Sequence, residues 1–405
     1  MTSSHELAFV LEKARPSLLP ATDLDECDPE SDLYQHVLNC EVVASDATVT
    51  EVEEAVRRPD LLGRFIGEND QIFVHRPGGY VSIRPRNFAE WLLAQTRLRG
   101  ATGPVSELIE VATTNRMSGQ EILVLKGLSP VNECRLPGDI TLCNLFHAPQ
   151  SYARDEILYG GPNQRRASPR RRGALVADVQ WAPVLSCTTE LVRGGNEKLE
   201  QMQEIVRLLP PVVGTAVSTT AHWMHAFSPI HLISGVSASA GFDNDAYDFD
   251  VGVSGVFEWS ELVSTIESYL ALQSNAKRHL RIPLERYNRA LLARQLEDKA
   301  IELGVALETM LTADRDKDAP ISYVLRLRGA CLLTRDTKAR KEAMLALKRA
   351  YDRRSAVAHS GHIGKHPEDA RLELEFGIRL CSEMLKIAIA RGGLPEDWDD
   401  IVLGA

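Results

Sequence analysis

The sequence predicts an α+β protein, a β-containing region over residues 1–255 followed by an all-α helical bundle over residues 256–405. Three observations predict it. Short apolar runs bounded by Pro-Gly and Gly-Gly turns occupy the first part. Apolar positions three and four residues apart dominate from about Phe257 onward. The length of 405 residues, 44% of them hydrophobic and 25% charged, allows more than one sizeable core.

The elements follow in order. Gln71 to His75 and Tyr80 to Ile83 flank Arg76, Pro77, Gly78 and Gly79, which predicts a β-hairpin. Ile122 to Leu125 and Ile140 to Leu142 predict further strands around a turn at Pro137 and Gly138. Two helices interrupt, one over 88–97 with Asn87 as its cap, one over 197–209 stopped by Pro210 and Pro211. His222 and His225, with Trp223 between them, fall in a strand pattern and read as packing residues. Beyond residue 256 the pattern predicts a helix over 260–272 and a long or broken pair over 284–310. Helices over 321–333, 338–359 and 367–390 complete five or six. Asp336 or Thr337 can cap the 338–359 helix, and Gly361 can terminate it. There is no internal repeat.

Composition narrows the setting. No apolar run reaches the 18 or so residues of a membrane span, and the N-terminus lacks the basic start and apolar stretch of a signal peptide. The seven cysteines are scattered and none forms a CxxC pair, which predicts reduced thiols and a cytoplasmic protein without a disulfide frame. A net charge of −10 argues against broad nucleic-acid coating and leaves room for a local basic site.

That basic site lies on the 338–359 helix. Eight basic residues against three acids give residues 335–354 a net charge of +5. For most of these a solvated face with ion pairs accounts for the charge, while Arg349 is a candidate RNA-binding residue. Arg354 is different. Ala343, Met344, Ala346, Leu347, Ala350, Tyr351, Val357 and Ala358 form one apolar stripe, and Arg354 projects from its middle. A charge so placed needs a carboxylate, a partner chain or a bound anion. His359 ends the same helix, just before Ser360 and Gly361.

Residues 284–361 resemble the HEPN superfamily, and within it the Apea-like HEPN group. The resemblance rests on Leu284 to Ala290, on Asp298 to Ile301 and on Ala306 to Glu308. It continues through Ser322 and Tyr323, Arg328 to Ala330, and Tyr351 to His359. It implies an HEPN-like helical bundle that dimerises, with two Arg…His motifs facing one another across a composite cleft. It further implies a metal-independent endoribonuclease without a cofactor, a defence or toxin effector whose partner is RNA. The residue types fit that chemistry. The RNA 2′-OH attacks the adjacent phosphorus and leaves a 2′,3′-cyclic phosphate and a 5′-OH. A histidine can move the proton, and an arginine can stabilise the charge of the phosphorane. Arg354 and His359 are then the catalytic pair, and Arg353 is a second motif arginine. Ser355 stands where active HEPN motifs often carry Asn, Asp or His, and is a weaker orienting group.

Other residues support this reading or compete with it. Glu308 shares a helical face with Ile301, Gly304 and Val305, so it can anchor Arg354 or Arg328 by a bidentate ion pair. Tyr351 reads as a core or dimer contact whose hydroxyl can also reach a phosphate. Arg165, Arg166, Arg170, Arg171 and Arg172 crowd one short stretch, which predicts an exposed loop able to clamp RNA phosphates. His359, His362 and His366 lack a fourth ligand for a metal. The acidic turn at Asp243, Asp245, Asp248 and Asp250 lacks the glycine and glutamate of a calcium loop. The alternative to an enzyme is a non-catalytic HEPN module that binds RNA or a partner, or dimerises.

Overall fold

The computed structural model describes residues 3–18, 44–76, 79–149, 154, 157–158, 172–189, 197–226, 253–256, 258–312, 319–364 and 366–403. Helices α1 (Ser3–Ala14) and α2 (Asp46–Val56) precede the hairpin of β1 (Ile72–Arg76) and β2 (Gly79–Ile83). Next come α3 (Pro85–Arg99), α4 (Thr102–Thr114), β3 (Met117–Lys126), β4 (Leu128–Pro130), β5 (Cys134–Leu136) and β6 (Ile140–Asn144). After these follow β7 (Gly173–Trp181), β8 (Leu185–Ser186), α5 (Glu197–Val213), β9 (Ser218–Ala226) and β10 (Val253–Gly255). The remainder is helical: α6 (Ser260–Leu270), α7 (Ser274–Leu292), α8 (Leu296–Leu311), α9 (Ile321–Leu333), α10 (Thr337–Ser360), α11 (Pro367–Ala390) and α12 (Trp398–Leu403).

A five-stranded antiparallel sheet, in the order β5-β6-β7-β3-β9, forms the centre of the β-containing region. β3 is covered on both faces, which explains its unbroken apolar run. Leu123 and Leu125 face one core, while Ile122 and Val124 face another with Ala174, Val176 and Trp223. The first core continues through Met202, Ile205 and Leu209 of α5 into α7–α11, so buried apolar contact crosses residue 255 without a break. A third core packs α1–α4 against the β2-β1-β8 sheet and the ends of β3, β7 and β9.

The hairpin and α6, α8, α9, α10 and α11 form close to where the sequence places them, whereas α7 starts at Ser274, ten residues before the predicted 284. The 284–310 pattern is a broken pair, interrupted after Leu292. Asp336 caps α10 by accepting from Ala339 N at 2.8 Å, and Gly361 closes it in the left-handed conformation at φ 74°.

Two expectations are corrected. Asn87 is not the cap of α3 but sits in its first turn, where its side chain accepts from Arg84 N at 3.1 Å. Pro210 and Pro211 do not stop α5 and instead lie buried in its last turn. Packing outweighs propensity there, because Ser382 of α11 donates to the Pro211 carbonyl at 2.6 Å. Among the described residues no helix is long and apolar enough to cross a membrane.

Candidate functional site

α10 buries Ala343, Leu347, Ala350 and Tyr351, and Arg354 is the next position of the same series. α8 packs against this stripe, and the two helices approach closely at one point. A Cβ on Gly304 would lie 2.3 Å from Arg354 Cγ and 2.9 Å from its Cβ. The arginine stem therefore fills the space that a larger residue at 304 would need.

Glu308, one turn along α8, receives the head group. Its Oε2 accepts from Arg354 Nη2 at 3.2 Å, and its Oε1 accepts from the Tyr351 hydroxyl at 2.6 Å. Arg354 Cζ also lies 5.7 Å from the centre of the Tyr351 ring. Exposures of 28% for the Arg354 side chain and 21% for that of Glu308 put the pair at the rim of the bundle, still reachable from solvent.

The charge on the apolar stripe thus finds a carboxylate, but not by the bidentate contact expected. Tyr351 takes the second oxygen, so its hydroxyl is engaged by Glu308 within the chain. Arg354 Nε is consequently buried without an acceptor. A buried donor left unmade costs about 1–3 kcal/mol, more when charged. Any hydrogen-bond acceptor would satisfy it, an anionic oxygen most strongly. Arg328, the other expected partner of Glu308, instead donates to the Leu311 carbonyl at 3.0 Å and stacks over Trp398.

Arg353 is committed elsewhere. Its Nε donates to Glu373 of α11 at 2.8 Å, and its Nη1 donates to the Ile363 carbonyl at 3.0 Å. Ile363 N in turn donates to Glu297 of α8 at 3.1 Å. Together these contacts tie the segment after α10 to both neighbouring helices.

His359 lies exposed on the last turn of α10 and makes no hydrogen bond among the described residues. Five residues correspond to about 140° around a helix. Within one chain Arg354 turns toward α8 while His359 turns to solvent. Ser355 is half-buried, and Arg349 is exposed without an ion pair among the described residues. No group of three or more His, Cys, Asp or Glu among the described residues is placed to hold a metal ion.

The arginine-rich stretch is corrected at its one described residue. Arg172 is 7% exposed, and its carbonyl accepts from Leu145 N at 3.0 Å as the chain enters β7. Backbone pairing at the start of the sheet draws it inside. Arg165, Arg166, Arg170 and Arg171 lie outside the described residues, as does the acidic turn at 243–250.

No family model, curated protein or solved structure matches this chain. Its chemistry is therefore read from its own side chains.

Two features escaped the sequence reading. The first is Gly304. A glycine inside a helix costs about 1 kcal/mol relative to Ala, and that cost was a legible sign of a close approach at this point. The second is a buried acid in the central sheet. Glu121 of β3 is fully buried, and its Oε1 lies 2.8 Å from Nε2 of His222 on the neighbouring β9. Its Oε2 has no partner. His222 read as a packing residue because nothing in the sequence shows which residue sits beside it across the sheet.

Proposed function

We propose that this protein is a metal-independent endoribonuclease of HEPN type, cytoplasmic and working as a homodimer, that cleaves RNA to 2′,3′-cyclic phosphate and 5′-OH ends. The observation that carries the reading is the state of Arg354. Its Nη2 is held by Glu308 while its buried Nε–H lacks an acceptor. A side chain held at one nitrogen by Glu308 and still 28% exposed can offer the rest of its guanidinium to a phosphate oxygen, and the buried Nε would have to be uncovered to join in.

The chemistry follows from the two residue types. Arg354 neutralises the charge that grows on phosphorus as the 2′-oxygen attacks and the 5′-oxygen departs. His359 moves a proton, taking one from the 2′-OH or delivering one to the leaving oxygen. Arg354 and His359 project about 140° apart on one helix. The reading therefore needs a second copy to bring an imidazole to the bound linkage. Arg353 stabilises the end of α10 rather than touching RNA, because its donors are already engaged. A defence or toxin role comes with the family resemblance, and toxicity on overexpression that His359→Ala relieves is its expected sign.

A second reading, an HEPN module that binds RNA or a partner without cutting, is favoured by one observation. His359 is exposed and has no orienting hydrogen bond among the described residues. Incubating purified protein with mixed RNA in chelator, followed by end-group analysis, separates the two. Cyclic phosphate ends that disappear with His359→Ala support the nuclease. Intact RNA, or cleavage that His359→Ala leaves unchanged, refutes it.

A further inference from the structure

We propose that Tyr323 and Arg326 of α9 form a stacking subsite for a nucleobase of the RNA whose phosphate meets Arg354, an inference that rests on the RNA reading above. Tyr323 leaves 48% of its surface exposed, although it is aromatic and sits on a packed helix. Arg326 lies one turn further on, with Cζ 5.3 Å from the Tyr323 ring centre. It makes no hydrogen bond or ion pair among the described residues, and its Nε is buried without an acceptor. Among the described residues, Arg326 and Arg354 are the two arginines whose Nε is buried without an acceptor, and each lies over a tyrosine ring, though Arg354 also pairs with Glu308.

The two pairs lie at one level of the bundle. α9 and α10 are joined by three residues and so run antiparallel. Their contact is fixed where Gly329 meets Leu347, since a Cβ at 329 would fall 2.7 Å from Leu347 Cδ1. Arg354 lies seven residues beyond that contact on α10, and Tyr323 lies six before it on α9. At about 1.5 Å per residue they sit roughly 10.5 Å and 9 Å from the contact, in the same direction. Neighbouring helix axes are about 8–10 Å apart, a gap that a short stretch of single strand can bridge.

The chemistry selects the ligand. A half-open aromatic ring backed by a guanidinium offers a stacking surface to any base. The N–H groups of the same guanidinium suit a phosphate rather than a neutral apolar partner. α9 carries no acid, and residues 335–354 beside it carry a net +5. The ligand class is therefore single-stranded RNA, bound with little sequence preference.

The test measures binding of a 2′-O-methyl oligoribonucleotide, which cannot attack its own phosphate, to full-length protein at fixed low salt. A 2-aminopurine in the strand reports stacking. Tyr323→Ala is expected to weaken binding about 5- to 100-fold and to abolish the quenching of 2-aminopurine. Tyr323→Phe should bind within about twofold of wild type, and Arg326→Gln should lose affinity together with salt dependence. Tyr323→Leu guards against a folding defect, since it keeps apolar bulk but cannot stack. If Tyr323→Leu binds and quenches like wild type, the subsite is refuted. If Tyr323→Ala binds normally and instead changes the oligomeric mass, the ring is a protein contact and the proposal falls while the Arg354 reading stands. If wild type does not bind the strand at all, both fall.

Discussion

Gly304 and Arg354 meet directly across the α8–α10 crossing, with the arginine Cγ 2.3 Å from where a Cβ on residue 304 would stand. The glycine is thus a condition for the arginine's place. Gly304→Ala adds about 1 kcal/mol of helix propensity but drives a methyl into the stem next to the arginine backbone, where overpacking costs about 1–3 kcal/mol. The net expectation is a lower urea midpoint, and Gly304→Val should lower it further. A stabilised Gly304→Ala variant would show that the two residues do not pack this way.

Tyr351 divides the Glu308 carboxylate, and removing its hydroxyl should weaken binding while leaving stability nearly unchanged. Tyr351→Phe loses one hydrogen bond to a carboxylate, worth about 1.5–3 kcal/mol where fully buried and less at this partly exposed rim. The freed Oε1 can then turn to Arg354 Nε and close the ion pair into a bidentate one. Little change in unfolding is expected, together with weaker binding of a non-cleavable RNA. Adding Glu308→Gln to Tyr351→Phe should recover part of that affinity, because a neutral amide grips the guanidinium less. Equal affinity in wild type and Tyr351→Phe would show that Tyr351 does not keep Glu308 from Arg354 Nε.

The C-terminal helices were legible because their apolar spacing, their Asp336 cap and their Gly361 stop all agree with the packing that forms. Arg354 stood out for the same reason, a charge breaking a regular stripe. The geometry around it was less legible. Spacing showed that Glu308 shares a face with Gly304, but not that Tyr351 would take one carboxylate oxygen, since that depends on helix crossing and rotamer. The orientation of His359 was readable from helical period alone, because five residues never return to the same face. Non-local sheet pairing hid Glu121, whose partner His222 lies 101 residues away. α1, α2 and α4 were missed as well. Their apolar faces are short and are stabilised by one another and by the small β2-β1-β8 sheet.

Glu121 and His222 provide a stability test in the other half of the molecule. Removing one partner of a buried hydrogen bond leaves the other unsatisfied, at about 1–3 kcal/mol. His222→Ala should destabilise by that order. Glu121→Gln, which removes the carboxylate charge but keeps an acceptor, should cost less. Urea unfolding checks the ranking, and a neutral His222→Ala would mean that Glu121 is not committed to this partner.

The described cysteines should differ sharply in reactivity. Burial raises the Cys143 thiol to about 12, helped by Glu133, and burial alone raises Cys381 to about 12. Burial pushes Cys134 up as well. A thiol raised in this way holds almost no thiolate at neutral pH. Cys187 is exposed on the segment after β8. Mass spectrometry after brief alkylation of folded protein at pH 7.5 should find Cys187 modified and Cys134, Cys143 and Cys381 protected. Rapid labelling of Cys143 or Cys381 would contradict the packing of the cores that hold them.

The central claim is that the guanidinium of Arg354 is where a phosphate binds. The most direct measurement is the nitrogen-15 arginine side-chain spectrum of His359→Ala protein, with the Arg354 Nε signal assigned by its loss in Arg354→Lys. On saturation with a 2′-O-methyl oligoribonucleotide, that signal is expected to move downfield and to exchange more slowly with water. An Arg354 Nε signal that stays in place while RNA is bound would contradict the account.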